Sequence, residues 1–585
     1  YWRIPSHIGK HPEGLKGTLE TLKYGFYPGR SILKLDTLTR WGIGGRTLRE
    51  DPRHRGKPDY SIFKGLSRDE ERWNLYLKLF GRDFQYASCF DNWPAFMALQ
   101  NTRLPNTRGT PADYAEAAKL AAYVIQAQKE IQGHTAHWWE VKNESTISSE
   151  WVLHGEPGVD SWLELAKFHN TMADVIHRYH PEIKVGGPTS AWMALHFRDF
   201  ELARKQLRFM DRTKDHLDFY SHHFYEGKKL ILSSGERYWQ GYLLGRLEGC
   251  LDLLRNHMVL TNNVKPFIIS ETGTLCDFTS ELNLWINSKN LSSYLIRYLE
   301  RPDVRLISLW FIPVPWWNKE SPILFEYTAD NQLRLRPKAT WWMKLWKDFR
   351  GVRIGAEPGD NGLRHVHLHA ARDGKVIYLA VNNLNPFRLA LNLDFGIDPA
   401  LIRSISQTRF YFDRGKMHFE ILSHRPGDKL PVAVEETTMI RIELKDELPF
   451  TGAVNEVTVY GDRTLIPTGR PEDVHIMVPR GDLEYAYLRI CASREGGFTA
   501  PLRVLVNGKV LAEKAVLTLQ PGKKDNWWSW VKIPVPPTLL RDGKSNTIRA
   551  EIKEEGGYIT TVALVGAYRK SPDWALEQSQ TGMHK

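Results

Sequence analysis

Cysteine is scarce in this chain, with four among 585 residues: Cys89, Cys250, Cys276 and Cys491. None lies in a Cys-x-x-Cys pair or a Cys/His cluster of zinc spacing, so no structural zinc and no disulfide framework is legible, and the redox compartment stays open. No apolar run is long enough to cross a membrane. The chain lacks a long Lys/Arg tract, an RNA-binding signature and a basic zipper, which argues against a nucleic-acid partner. It lacks internal repeats and low-complexity linkers, so its domains are expected to pack firmly. An initiating Met and a charged-then-apolar leader are also missing, and a signal peptide is expected to have been removed or never present.

What is present is a folded, soluble composition: 42% hydrophobic and 25% charged residues. A chain of this length is too long for one core, and two to four domains are expected. The 21 Trp, 23 Tyr and 24 Phe suit a protein that offers flat faces to sugar rings, although large cores use the same residues. The net charge of +11 and pI of about 9.2 favour a polyanionic partner such as an acidic polysaccharide.

Up to about residue 350, short apolar strands alternate with helical stretches, the pattern of parallel βαβ units. Helices are expected over Tyr114 to Ile131, Trp162 to Tyr179, Tyr242 to Met258, Leu291 to Glu300 and Ala339 to Phe349. Strands are expected at Lys184–Pro188, Leu217–Tyr225 and Val304–Ile312, and in two segments that each carry a glutamate at the end, Trp138–Glu144 and Pro266–Gly273. Counted around an eightfold barrel, Glu144 falls near strand four and Glu271 near strand seven. Beyond Gly351 the strands run without helices, and Asn507-Gly508 marks a two-residue hairpin. The expected architecture is a (β/α)8 TIM barrel over 1–350 followed by two β-sandwiches, over 351–450 and 451–585, the last resembling a carbohydrate-binding module.

Two carboxylates at strand ends across a barrel mouth are what glycosidic bond cleavage needs. Glu144 and Glu271 are therefore the candidate catalytic pair, with a structural salt-bridge role as the competing reading. Asn143 would present an amide to a sugar hydroxyl. His222, His223 and Tyr225 end the strand before that of Glu271 and are candidates to hydrogen-bond the nucleophile or a ring hydroxyl, against ordinary barrel packing. Trp316 and Trp317 would form a sugar platform beyond the last strand, and Trp139 is a further candidate beside the first glutamate. Trp341, Trp342, Leu345, Trp346 and Phe349 have helical spacing and read as core. Arg46, Arg49, Arg53 and Arg55 share a Gly-containing loop, where guanidinium forks bind sulfate or carboxylate; a solvated loop is the competing reading. His365, His367 and His369 alternate along one strand face, and incidental histidines are expected there rather than a metal. No metal or cofactor is expected.

The chain resembles glycoside hydrolase family 86, the β-agarases and β-porphyranases that cut red-algal galactans. The resemblance rests on Trp139-Glu140-Val141-Lys142-Asn143-Glu144, Ile269-Ser270-Glu271-Thr272-Gly273, Tyr298-Leu299-Glu300-Arg301-Pro302-Asp303 and Leu345-Trp346-Lys347-Asp348-Phe349-Arg350-Gly351, and on the two β-rich units that follow. It implies a retaining, endo-acting enzyme on β-1,4 galactosidic bonds, with Glu144 as acid/base and Glu271 as nucleophile through a covalent galactosyl-enzyme. The basic charge tips the expected substrate toward sulfated porphyran; agarose is the alternative. An unsulfated plant xyloside or glucuronide, and a non-catalytic carbohydrate-binding protein with a dead barrel, are the competing functions. A secreted, periplasmic or cell-surface monomer is expected.

Overall fold

The computed structural model describes residues 12–100, 108–226, 230–231, 237–238, 245–274, 280–309, 324–330, 333–357, 359, 365–385, 387–394, 396–449, 452, 454–515, 517 and 528–573. Seven parallel strands form one sheet: β1 (Arg30–Leu33), β2 (Ala87–Phe90), β3 (Trp138–Glu140), β4 (Lys184–Ser190), β5 (Phe219–Glu226), β6 (Phe267–Thr274) and β7 (Val304–Leu309). Their order in the sheet is their order in the chain. After α1 (Pro12–Leu22), which precedes the sheet, each strand pairs with the next through a crossover that carries a helix: α2 (Glu70–Phe80), α3 (Tyr114–Gln132), α4 (Ser161–Tyr179), α5 (Phe197–Thr213), α6 (Arg246–Leu260) and α7 (Glu281–Leu299). The helices cover one face and leave the other to line a barrel-like interior. The sheet curls far enough that a Cβ on Gly29, just before β1, would lie 3.2 Å from the Ile307 carbonyl oxygen and the Ser308 Cβ of β7.

The helices form where local chemistry says they should. Asp113 caps α3 by accepting from the Glu116 amide, and Gly133 ends it in the left-handed conformation at φ 74°. Asp160 caps α4, which buries Leu165, Phe168, Met172 and Ile176 on one face. The short helix α8 (Trp341–Trp346) buries Trp342, Leu345 and Trp346 as its spacing implied, but it is shorter than expected, because Pro337–Thr340 forms a 3-10 turn before it. Helix α6 begins at Arg246, with Tyr242 outside the described residues.

Beyond the barrel, a six-stranded antiparallel sheet has the order β8 (Val352–Ile354), β9 (Val366–Asp373), β10 (Val376–Asn383), β13 (Thr437–Leu444), β11 (Ile402–Asp413), β12 (Lys416–His424). One face carries Tyr378, Ala380, Phe410 and Met439 against Trp285 and Leu291 of α7 and Trp342 of α8. The other carries Val381, Ile405, Ile440 and Ile442, closed by Leu430 and Leu391 of a two-stranded sheet. The barrel's own helices therefore serve as a covering layer for this unit. The last unit stacks two sheets. One runs β14 (Asn455–Tyr460), β21 (Gly557–Tyr568), β16 (Leu483–Arg494), β19 (Trp528–Val535), with Ile466–Pro467 also paired to β21; the other runs β15 (Glu472–Met477), β20 (Ser545–Glu551), β17 (Leu502–Val506), β18 (Lys509–Ala515). Leu488, Ile490, Val504, Val506, Ile548 and Val562 fill the space between them. Asn507 and Gly508 both have positive φ, 51° and 81°, as the hairpin turn there requires.

The segment Glu300-Arg301-Pro302-Asp303 fastens these units together. Arg301 is buried and donates to Asp252 on α6 and to Asp303. Asp252, wholly buried, also accepts from Arg489 of β16 at 2.8 Å. Glu300 binds Arg353 at 2.7 Å and His369 at 2.6 Å, both from the six-stranded sheet. Burial pushes its carboxyl up, but His369 and Arg353 outweigh that and hold it down at about 2. Trp528 of β19 inserts into the helix layer, donating to His196 Nδ1 at 3.1 Å. Gly249 on α6 makes room for it, since a Cβ there would come within 2.5 Å of the indole.

Candidate active site

The mouth of the barrel is organised by an arginine that the sequence reading passed over. Arg30 opens β1 with no exposure to solvent. Its Nε donates to Glu140 Oε2 at 2.5 Å, Nη1 to Glu271 Oε1, and Nη2 to Asn143 Oδ1 at 2.9 Å. One guanidinium fork thus ties together strands β1, β3 and β6, using the planar donor geometry that suits arginine rather than lysine. One buried guanidinium therefore meets two carboxyl groups. Burial pushes Glu140 up, but the charges of Arg30 and His223 outweigh that, so its carboxyl lies below the ordinary range. The contact to Asn143 commits the amide oxygen and leaves the NH2 as the group able to donate.

Glu271 lies within β6 with 6% of its side chain exposed. Besides Arg30, it accepts from the Tyr225 hydroxyl. Glu144 does not end a strand, as its segment had suggested. Strand β3 stops at Glu140, and Glu144 sits in the following turn with φ 46°, a conformation unusual for a residue other than glycine. Backbone in this region costs roughly 1–3 kcal/mol and persists only when its surroundings hold it. The holding groups are visible. The Asn143 amide donates to the Phe90 carbonyl at 2.9 Å. The Lys142 ammonium, fully buried, donates to the Asn143 carbonyl at 2.8 Å, to Asp91 at 2.9 Å and to Glu150 at 2.6 Å.

His223 joins the two glutamates. Its Nδ1 lies 3.1 Å from Glu144 Oε1 and 3.5 Å from Glu271 Oε2. Both neighbours are carboxylates, so Nδ1 is the protonated nitrogen. One oxygen of each glutamate and a His223 nitrogen lie within 4.8 Å of one another. Three such ligand atoms would also suit a cation, but Arg30 and Tyr225 already donate to the two oxygens of Glu271. Burial pushes the Glu144 carboxyl up; the hydrogen bond and charge of His223, then Arg30 and Lys142, outweigh it and leave it low. Glu144 is the more open of the two, with 23% of its side chain exposed.

The chain is similar to several known proteins. The family model described as porphyranase beta-sandwich domain 1 matches residues 366–465. A funoran endo-beta-hydrolase from Wenyingzhuangia aestuarii is 24% identical over 494 residues, 78% of this chain and 65% of that protein. A beta-agarase from Pseudoalteromonas atlantica is 29% identical over 246 residues, 38% of this chain and 47% of that protein. The chain thus spans about two-thirds of the first relative and about half of the second. The fold is shared with a family 86 protein solved with neoagarooctaose, at TM-score 0.76 and 19% identity over 94% of this chain and 90% of the other. It is shared too with a β-porphyranase of that family from the human gut bacterium Bacteroides plebeius, at TM-score 0.71 and 17% identity over 96% and 94%. The chain thus shares its fold with proteins of glycoside hydrolase family 86.

Within this fold, the mouth gathers Asn143, Glu144, His223, Tyr225 and Glu271 from the expected candidates. Among the described residues it does not gather the others. Strand alternation turns His222 outward, opposite to His223, and it lies buried against Ser190 Oγ at 3.2 Å on the helix side. Trp139 is likewise core, wholly buried and stacked on Phe90 at 4.4 Å. Arg46 donates to the carbonyls of Ile62, Lys64 and Gly65. Its turn packs beside Ile131 at the end of α3 remote from the mouth, so it fastens backbone instead of meeting a ligand. Arg49 is exposed on the same loop. His367 and His369 go separate ways, toward Trp530 and Glu300. Trp316 and Trp317 lie outside the described residues. The sequence reading missed Arg30, Glu140 and Trp192. An arginine or glutamate inside a short buried strand was the available signal for the first two. Trp192, 37% exposed after β4, lies 5.8 Å from the Tyr225 ring.

Proposed function

We propose that this chain is a retaining, endo-acting glycoside hydrolase that cleaves β-1,4 galactosidic bonds of a red-algal galactan. The observation that carries the reading is the approach of Glu144 and Glu271 within 4.8 Å around His223. Glu271 is the nucleophile. Two donors, Arg30 and Tyr225, hold and aim it. Its oxygen bonds the anomeric carbon as the glycosidic C–O bond breaks, and Glu144 gives its proton to the departing oxygen. Water then attacks the glycosyl ester, Glu144 takes its proton, and Glu271 is released as carboxylate. Glu144 is held low, which suits the second, base-catalysed half. For the first half, a sugar that displaces water from around Glu144 raises its pKa by desolvation. Asn143, with its oxygen committed to Arg30, donates to the hydroxyl next to the reacting carbon.

Porphyran is the preferred substrate on this reading and agarose the alternative. The net charge of +11 favours a sulfated chain, and Arg49, Arg53 and Arg55 are exposed on the loops after β1. The names of the relatives span funoran, agarose and porphyran. The interval of three strands between the glutamates equals that between strands four and seven of an eightfold barrel. We therefore read the seven-stranded sheet as part of a (β/α)8 barrel over 1–350, followed by sandwiches over 351–450 and 451–585 in a secreted monomer. The test is hydrolysis of porphyran, agarose and funoran, followed by reducing-end release and by NMR of the first-formed anomer. Endo cleavage with retention is expected. An inverted anomer would overturn the double displacement, and binding without cleavage of any galactan would leave a carbohydrate-binding protein.

A further inference from the structure

A cavity of about 590 Å³ lies where α6, α7, the six-stranded sheet and the last sandwich meet. It stands behind the helix layer, and none of its lining residues among those described belongs to the mouth. Tyr485, Tyr487 and Trp530 give it aromatic faces, and Arg297, His367 and Lys532 give it polar groups.

Its depth and its entrance differ in chemistry. At depth, Arg297 is almost fully buried, with Nε and Nη2 donating to Glu248 at 2.6 and 2.5 Å. Its Nη1 is buried with no hydrogen-bond partner. His367 stacks on Trp530 at 6.2 Å, and its Nε2 is likewise buried without a partner. Burial drives the His367 pKa well below the ordinary value, so the ring is neutral. At the entrance, Lys532 is exposed, with its ammonium 4.6 Å from the Tyr487 ring centre and 3.8 Å from Glu357. A guanidinium donor left unmet in a buried wall is costly. A ligand oxygen would relieve it. Arg301 and Arg489 also line the cavity but are matched by Asp252 and Asp303.

We propose that this cavity is a second saccharide site, distinct from the cleavage site, which takes a sugar unit bearing an anionic group. The size fits a bound small molecule. The rings supply apolar faces of the kind pyranoses stack on. The Arg297 Nη1 and the Lys532 ammonium supply charge-assisted donors to a sulfate or carboxylate. The choice of a sulfated galactan as the natural source of that unit rests on the functional reading above. A site of this kind would hold polymer at the flank of the barrel while the mouth cuts it.

The test uses the full chain with Glu144→Gln, so that ligand survives, titrated calorimetrically with a porphyran oligosaccharide. Two sites per chain are expected, against one when Lys532→Ala or Trp530→Ala is added. A neutral neoagaro-oligosaccharide should fill the junction site at least tenfold more weakly. In the otherwise wild-type chain, both junction substitutions should lower the rate on polymer and leave that on short oligosaccharides unchanged. Lys532 is exposed, so its removal does not threaten folding, and thermal melting checks Trp530→Ala. One site per chain, unaltered by Lys532→Ala, would overturn the proposal even if porphyran is cleaved. Equal binding of the neutral sugar would overturn its anionic specificity. Loss of one site with the junction variants, in a protein that cleaves no galactan, would support the cavity and refute the proposed activity instead.

Discussion

Two buried clusters in this molecule use the same materials to opposite ends. At the barrel mouth, Arg30 holds Glu140, Glu271 and Asn143, with Glu144 and His223 alongside. At the domain junction, Arg301 and Arg489 share Asp252, and Asp303 closes the set. In the junction two cations meet two carboxylates, and packing covers them. In the mouth a single arginine faces more carboxylates than it can neutralise, and one of them, Glu144, opens to solvent from a strained backbone. A buried arginine–carboxylate contact is therefore no mark of catalysis. Excess charge of one sign, held by rigid donors and left facing a cleft, is the mark.

The contrast is sharpest for the glutamates themselves. Glu271→Gln and Glu144→Gln should each lower turnover by about 10²–10⁴-fold or more with unchanged melting; activity above a tenth of wild type would remove either from the chemistry. The next test sets Arg30→Met against Arg301→Met. Each strands buried carboxylates and should destabilise by about 3–5 kcal/mol, read from denaturant unfolding. Only Arg30→Met should also reduce kcat in the protein that remains folded. If Arg301→Met reduced it as much, the division between the clusters would fail.

Acid should act on the junction. The Glu300 carboxyl is held at about 2, below its ordinary value of 4.5. A depressed folded pKa means that its stabilising contribution is complete above about 4.5 and is lost as pH falls toward about 2. Tryptophan fluorescence along an acid titration should show a transition in that window, and Glu300→Gln should remove its part of it. A smaller effect concerns His223, the leading influence that holds Glu144 low. His223→Ala should let the Glu144 pKa rise, moving the alkaline limb of kcat/KM to higher pH; a move to lower pH would contradict the geometry. Smallest of all, Trp192→Ala should raise KM several-fold, since aromatic contacts are worth about 0.5–1.5 kcal/mol, and should leave kcat nearly unchanged.

Much of the fold was legible because it depends on local patterns. The caps Asp113 and Asp160, the glycine ending α3, the spacing of Trp342 and Trp346, and the Asn507-Gly508 turn each act within a few residues, so period and turn chemistry reveal them. Glu271 does lie in an apolar strand as its segment implied, whereas Glu144 stands in the turn after its strand rather than at the strand's end. The errors fell where a one-residue difference chooses the face. His222 and His223 are neighbours with identical side chains, yet the pleat turns one to the helices and the other to Glu144.

The sequence by itself determined most of the helices and strands, and the charge available for a partner. Tertiary structure alone decided that Arg30, 110 residues before Glu140 and 241 before Glu271, would be their common partner. It also decided that Arg46 would fasten a loop, and that the Glu300–Asp303 segment would staple three units. The physical reason is range. Capping, turns and amphipathic periods are set by neighbours in the chain, whereas a buried charge acquires its partners and its pKa only when distant strands close around it.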